Sequence, residues 1–342
     1  MQYFHGGDLE SYPSVTLDFS VSLNPFGMPE PVKEALRQSI EQPPRYPDPL
    51  CRSLRQALGA WEQADADLIL CGSGASDLLY RYTAALRPGH ALLLTPTFTE
   101  YNRALQTVNC AVDRYALLSE REFLPEEGLL TQITEELDLL ILCSPNNPTG
   151  RLFPEALLRD VLKRCREKRV SLLIDECFLD FTEGISAVRL LGENPNMTVL
   201  KAFTKSFAIA GIRLGYCLSS DRELLRKMAQ EGPPWAVSVT AQAAGIAACG
   251  ESVFLEECRG KIRKLREELF CELTRLGLRV FPSDANFLLF QSKTPLFEAL
   301  LQRGILIRNC GDFIGLTDDY YRVAIRTEED NKTLIAALEE IL

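Results

Sequence analysis

From about residue 65 onward, short apolar runs alternate with longer segments of helical periodicity. Leu68-Ile69-Leu70-Cys71 reads as a strand that ends in Gly72-Ser73-Gly74 and gives way to a helix through Leu86. Ala91 to Leu94 is a second strand, followed by a helical segment from about Thr99. Asp138 to Cys143 is a third, closed by the turn-forming cluster Ser144-Pro145-Asn146-Asn147-Pro148-Thr149-Gly150. Pro154 suits the first turn of a helix running to about Lys168, because proline lacks an N–H that this position would leave unpaired anyway. Val170 to Ile174 follows as a strand with Asp175 at its end, and Thr198 to Leu200 and Leu214 to Leu218 add two more. Near-continuous apolar strands separated by helices indicate a mostly parallel sheet covered on both faces. In such sheets ligands bind beyond the carboxyl ends of the strands.

A second region is expected from residue 236. A long charged helix from about Glu251 to Leu276 precedes strand-like runs at Leu278 to Phe281, Asn286 to Phe290, Ile305 to Arg308 and Tyr321 to Ile325. A last helix covers Glu328 to Leu342. The pattern predicts a smaller α+β domain. The stretch from Pro43 to Pro49 is too rich in proline for a helix and predicts an extended loop.

The chain of 342 residues is long enough for two domains in one folded unit. No run of about 18 apolar residues is present, so no membrane span is expected. The first residues lack the basic-then-apolar pattern of a secretion signal, and a cytoplasmic location is the expectation. Eleven cysteines scattered through apolar runs, with no C-x-x-C pair, read as reduced thiols. Two histidines, His5 and His90, are too few for a histidine-rich metal site. A net charge of −10 argues against nucleic acid and anionic membranes as partners. Any anionic small molecule must therefore be met by cations gathered locally.

The candidate chemistry lies at the strand ends. Lys205 sits between aromatic residues in Phe203-Thr204-Lys205-Ser206-Phe207, and Arg213 follows eight positions later at the head of an apolar strand. This placement suits a Schiff-base lysine beside a phosphate-binding arginine; an exposed lysine next to a structural arginine is the plainer alternative. A carboxylate ending a buried strand, as Asp175 does, needs a cationic partner, and a pyridinium nitrogen is one; capping the next helix is the other reading. Gly72-Ser73-Gly74-Ala75-Ser76 between strand and helix presents free N–H groups to an anion, although such turns are common. Asn147 is either a turn residue or a ligand contact. Phe98 and Tyr101 are core aromatics at helical spacing, or one of them stacks on a planar cofactor.

In this order along nearly the whole chain, these pieces resemble the fold-type I pyridoxal-phosphate enzymes of the aspartate aminotransferase superfamily. The resemblance implies an α/β fold with a mostly parallel central sheet flanked by helices and a smaller α+β C-terminal domain. It implies an N-terminal arm at 1–35 joining the small domain, a large cofactor-binding domain at 36–235 and the small domain at 236–342. It further implies that Lys205 carries pyridoxal 5′-phosphate, that Asp175 pairs with its pyridine nitrogen, that Asn147 bonds its 3-oxygen and that Phe98 stacks on the ring. Arg213, Ser76, the backbone of Ala75 and Thr204 would hold the cofactor phosphate. Tyr46, in Arg45-Tyr46-Pro47-Asp48-Pro49, would reach the phosphate of a neighbouring subunit, which implies a homodimer with active sites at the subunit interface.

Within the superfamily the chain is similar to two branches, the histidinol-phosphate aminotransferases and the threonine-phosphate decarboxylases of cobalamin synthesis. Four segments favour the decarboxylases: His5-Gly6-Gly7-Asp8 with the run from Leu17 to Gly27, Thr204-Lys205 with Ala208-Ile209, the run from Ile305 to Phe313 with Gly315-Leu316, and Tyr321 to Thr327. Phe178 stands where the aminotransferases usually have a tyrosine that bonds the 3-oxygen, and Ala202 where a Ser or Thr often helps with the phosphate. The expected substrate is a phosphorylated amino acid, O-phospho-L-threonine, with O-phosphoserine open as another. Asn24, Asn147, Arg322, Arg326 and Arg308 are its expected contacts, with arginines suited to carboxylate and phosphate. Solvated or acid-paired roles are the alternative for Arg326 and Arg308. A regulator using this fold as a sensor would carry an additional DNA-binding domain, for which the chain has no basic segment.

Overall fold

The computed structural model describes residues 6–41 and 44–342. The expectations attached to His5 and Pro43 lie outside the described residues. The chain begins with β1 (Leu17–Asp18), α1 (Glu30–Glu41) and α2 (Arg52–Glu62), then enters the sheet through β2 (Ile69–Gly72) and α3 (Ala75–Leu86). The alternation continues through β3 (His90–Thr95), α4 (Thr99–Gln106), β4 (Ala111–Ala116), α5 (Leu129–Gln132), β5 (Leu139–Cys143), α6 (Glu155–Lys168) and β6 (Ser171–Asp175). After these come β7 (Met197–Lys201), the single turn α7 (Phe203–Ser206), β8 (Gly215–Ser219), α8 (Arg222–Gln230), α9 (Val239–Ala248) and α10 (Ser252–Arg275). The remainder holds β9 (Arg279–Val280), β10 (Phe287–Gln291), α11 (Phe297–Leu301), β11 (Ile305–Leu306), β12 (Arg308–Asn309), β13 (Tyr320–Ala324) and α12 (Glu328–Ile341).

The main sheet has seven strands in the order β2-β8-β7-β6-β5-β3-β4. Its pairings are parallel except those of β8, which runs antiparallel to both β2 and β7. The architecture is the mostly parallel, helix-flanked sheet that the sequence pattern predicts. β5 and β7 are buried along their whole length, as strands covered on both faces must be. β4 has no counterpart among the expected strands. It is an edge strand whose residues Asp113 and Arg114 face water, so it lacks the apolar run that marks the central strands.

A second, four-stranded sheet in the order β12-β13-β10-β9 is antiparallel throughout. The single strand expected over Ile305 to Arg308 is two. β11 pairs in parallel with β1 at the start of the chain, and after Ile307 the chain joins β13 as β12. Two-residue strands serving different sheets cannot be separated by apolar patterning alone.

The change between cores does not fall at residue 236. Val237, Ala241, Ala244, Ala248 and Leu255 belong to the core around the main sheet, while Cys258, Ile262, Leu269 and Leu273 belong to the second core. α9, expected in the small domain, packs on α1 and α2 instead. Its sequence, VTAQAAGIAA, is small and apolar on all sides, which suits a helix pressed between others. The crossover therefore lies inside α10. At the N-terminus, Phe19 enters the second core, whereas Val32 on α1 enters the first, so the arm expected at 1–35 divides between them. Among the described residues no helix is long and apolar enough to cross a membrane.

Candidate active site

A cleft of about 360 Å³ opens beyond the carboxyl ends of the central strands. Ala75, Ser76, Phe98, Asn147, Asp175, Thr204, Lys205, Arg213, Arg308 and Arg322 all line it. Five separate strand-to-helix connections and the second sheet thus deliver the expected side chains to one place.

Lys205 is carried on α7, one turn past the end of β7. The turn is held from the other side of the cleft, because the Asn24 N–H donates to the Lys205 carbonyl (3.0 Å) and the Asn24 side chain to the Ser206 carbonyl (2.8 Å). The Lys205 Nζ lies 5.9 Å from the centre of the Phe178 ring. Burial, and after it the nearby Arg322 charge, lowers its pKa to about 8. An amine so tuned releases its proton far more readily than an ordinary lysine, as a nucleophile toward an aldehyde must.

Asp175 ends β6 and is nearly inaccessible. Its two oxygens have different donors: the Cys177 N–H at 2.9 Å and the Tyr101 hydroxyl at 2.7 Å. Tyr101 is fully buried on α4, one helical turn from Phe98. Burial, with the Asp175 charge behind it, pushes the Tyr101 hydroxyl upward, so it stays a donor. The sequence offers Tyr101 as a core aromatic or a stacking ring, not as a partner of Asp175; its helical spacing from Phe98 is the available sign that both point into the site. The thiols of Cys143 and Cys177 also line the cleft, and burial pushes both upward, which leaves them protonated and inert.

The anion cradle is built at the start of α3. Gly74 precedes the helix at φ +93°, with no side-chain cap for the first turn. A methyl group there would come within 2.5 Å of the Arg213 guanidinium, and one on Gly215 within 2.5 Å of the Ala75 nitrogen. Both glycines thus let Arg213 and β8 press against the helix start. Uncapped N–H groups, a positive helix end and an arginine form a site for a phosphate. Arg213 makes no ion pair among the described residues; its guanidinium donates to the Ala210 carbonyl at 3.0 Å.

Arg322 reaches across from β13. It donates to the Asn147 side-chain oxygen and to the Ser20 carbonyl (3.0 Å), while its Nε is buried with no partner among the described residues. Burial lowers its pKa to about 10. Arg308 also faces the cleft, held by both oxygens of Asp312 at 2.7 and 2.6 Å. Ser20, Val21 and Ser22 of the N-terminal segment and Phe313 complete the wall, and these were not singled out from the sequence.

Two expected contacts lie elsewhere, and Tyr46, expected at a neighbouring subunit, lies outside this cleft. The buried Asn24 spends its side chain on Ser206 and on the Phe26 N–H, so it supports the lysine turn and does not enter the cleft. Arg326 is drawn to Asp330 (2.9 Å) and to the Asp18 carbonyl (3.0 Å), away from the cavity. Tyr46 is 78% exposed and packs on Trp235, 4.8 Å between ring centres, outside the cleft. Ala202 and Phe178 are as the sequence reads: neither offers a hydroxyl. Phe178 instead packs edge-on against Phe287 at 5.0 Å.

Comparison with known proteins agrees with this geometry. The model of the aminotransferase class I and II family matches residues 14–338. A threonine-phosphate decarboxylase of Salmonella typhimurium is 36% identical, over 99% of this chain and 96% of its own. A histidinol-phosphate aminotransferase of Symbiobacterium thermophilum is 34% identical, over 93% of this chain and 88% of its own. Among solved structures, the histidinol-phosphate aminotransferase of Clostridium acetobutylicum superposes with a TM-score of 0.90 at 29% identity, covering 95% of this chain and 98% of the other.

Proposed function

The chain belongs to the class I and II aminotransferase family, whose cofactor is pyridoxal phosphate, and on that premise we propose that it decarboxylates O-phospho-L-threonine to (R)-1-amino-2-propanol phosphate, a precursor of cobalamin. The residues present fit the cofactor: an uncapped helix start beside Arg213, a recessed lysine, a carboxylate at the strand end and an unpartnered Arg322 Nε surround one cleft. When bound, pyridoxal phosphate links to the substrate amine and draws electrons from whichever bond to Cα stands perpendicular to its ring.

The protein then determines which bond that is. Ala75, Ser76, Thr204 and Arg213 would hold the cofactor phosphate, and Phe98 would pack on the ring. Asp175, fixed by Tyr101 and the Cys177 N–H, keeps the pyridine nitrogen protonated. Phe178 supplies no hydroxyl to the 3-oxygen, leaving Asn147 to serve it. The Lys205 Nζ would be the proton donor to the substrate Cα in place of the departed CO2. A decarboxylase must turn the substrate carboxylate out of the ring plane and needs another handle to do so. The observation that carries this reading is the convergence of Arg322 and the Asp312-paired Arg308 on the far wall, two guanidiniums suited to a carboxylate and a second anion. Arg326, turned toward Asp330, supports this wall through the Asp18 carbonyl and makes no direct contact. O-phosphoserine, one methyl smaller, is accepted as a weaker substrate, since a methylene contributes about 1–3 kcal/mol of discrimination.

We further propose a homodimer. Tyr46, Trp235, Leu50, Ile40 and Ile246 are large apolar side chains left exposed on the face formed by α1, α9 and the loop before α2. A second copy seated there would bring its Tyr46 toward this site.

The second reading, an aminotransferase acting on histidinol phosphate, is favoured by the Arg322–Asn147 contact, which suits a carboxylate held in the ring plane. The test is CO2 release by the cofactor-loaded protein from O-phospho-L-threonine without any keto acid. Catalytic CO2 with aminopropanol phosphate as the matching product is expected. Turnover of histidinol phosphate that depends on 2-oxoglutarate, with no CO2, would reject the decarboxylase.

A further inference from the structure

Behind the cleft, on the opposite side of the same strand ends, lies a buried ionic cluster that the proposed reaction does not use. The Lys201 Nζ is 2.9 and 3.0 Å from the two carboxylate oxygens of Glu62 and 3.7 Å from Glu176. None of the three side chains is more than 6% exposed. Both carboxylates have further donors. Glu62 accepts from the Tyr216 hydroxyl at 2.6 Å, and Glu176 from the Ser186 hydroxyl and the Ala187 N–H, each at 2.6 Å.

The chain positions of these groups are informative. Glu176 directly follows Asp175, and successive side chains of an extended chain point to opposite sides. One therefore enters the cleft while the other enters the cluster. Lys201 ends β7, four residues before Lys205, and Tyr216 lies on β8, three residues after Arg213. Lys201 and Tyr216 are cross-strand partners, and the Glu176 N–H donates to the Leu200 carbonyl at 2.8 Å. Glu62, the last residue of α2, clamps the set from outside the sheet. The three segments that deliver Asp175, Lys205 and Arg213 are thus each anchored within four residues of that side chain by one cluster.

Burial alone would strip the charges from these groups. It pulls the Lys201 ammonium down, but Glu176, Glu62 and the neighbouring Asp180 outweigh it and hold the amine protonated; burial pushes Glu176 and Asp180 up against the opposing pull of Lys201. Buried ion pairs add little net stability over apolar residues of the same shape, whereas removal of one partner leaves a charge stranded. What such a cluster can supply is geometric definition, because buried charges tied to several fixed partners tolerate few alternative arrangements.

We propose that Glu62, Lys201 and Glu176 form a positioning network that sets the spacing of Asp175, Lys205 and Arg213 and so determines how tightly and in what orientation pyridoxal phosphate is held. The proposal rests on the assignment of those three residues to the cofactor. The network touches neither cofactor nor substrate; it acts through the strand ends, as supporting partners do around metal ligands, where their loss weakens binding by about 10- to 100-fold.

The test titrates cofactor-free protein with pyridoxal phosphate, reading affinity and the pH midpoint of the visible band. Two variants are compared with wild type: Glu176→Gln, which keeps the Lys201–Glu62 pair, and the neutral triple Glu62→Gln/Lys201→Met/Glu176→Gln. Both should bind the cofactor at least about tenfold more weakly, with a displaced pH midpoint, while the far-ultraviolet circular dichroism of the cofactor-free protein is unchanged. Wild-type affinity and band in a folded triple variant would overturn the network; should the triple not fold, the same result in Glu176→Gln would do so. Lys205→Ala in the same titration separates the two levels. Persistence of its visible band would refute the lysine assignment, whereas its loss beside unchanged network variants would refute the network alone.

Discussion

Lys205 carries a stability signature that needs no cofactor to be read. Its folded pKa is about 8 against an ordinary value of 10.5, with burial the main cause. Between those values the unfolded chain holds a proton that the folded chain has released, so stability rises with pH across the interval. Below about pH 8 both states are charged and the full penalty of a recessed ammonium is present. Replacing Lys205 with Met should therefore raise the melting temperature of the cofactor-free protein at pH 7, with the gain disappearing as pH approaches 10.5. A gap that stays constant over that range, in thermal melts of both proteins, would contradict the burial of this amine. Asp175 shows how far residue type alone can be read: a carboxylate ending an apolar run declared its need for a partner. Its donors came from Tyr101, 74 positions away, and from its own turn, and neither is visible without the fold.

At the scale of elements, the strands buried on both faces were legible because they are continuous apolar runs, and Asp175, Asn147 and Lys205 could be placed from them. β4 was not, since an edge strand such as Ala-Val-Asp-Arg-Tyr-Ala keeps charges facing water. The placement of α9 was not legible either, because a helix without a polar face does not announce which neighbour it serves. The Arg326 expectation failed for a similar reason. Asp330 lies one turn further on, near the start of α12, and competes for the guanidinium locally. The contact between β8 and α3 gives a sharp prediction. A Gly215→Ala methyl would sit 2.5 Å from the Ala75 nitrogen and force the helix start away from Arg213. Overpacking of this kind costs about 1–3 kcal/mol. The expected result is a roughly tenfold or greater rise in the Kd for pyridoxal phosphate, measured by titration of cofactor-free protein. An unchanged Kd would mean that the cradle does not hold the phosphate.

For the whole molecule, the exposed aromatic pair Tyr46 and Trp235 bears on assembly. Replacing Tyr46 with Asp should shift the protein from dimer to monomer in sedimentation velocity, because a charge would be desolvated at a contact otherwise apolar. A wild-type protein that sediments as a monomer at micromolar concentration would remove the dimer from the proposal. The two cores, by contrast, were partly legible. The long charged helix was evident from its periodicity, but its service to both cores depends on where Leu255 and Cys258 point.

The N-terminal segment that walls the cleft has a consequence for synthesis. β1 pairs with β11, the Phe19 carbonyl accepts from the Ala324 N–H, and the Ser20 carbonyl accepts from Arg322, 302 residues further along the chain. On a ribosome moving at about 5–20 residues per second, that carbonyl waits roughly 15–60 s for its partner. The nascent chain can assemble its central strands long before then, but one wall of the cleft is absent until the last strand has emerged. Cofactor capture with the full set of contacts is thus a late event, which follows release of the C-terminal region and cannot guide the folding of the sheet that precedes it.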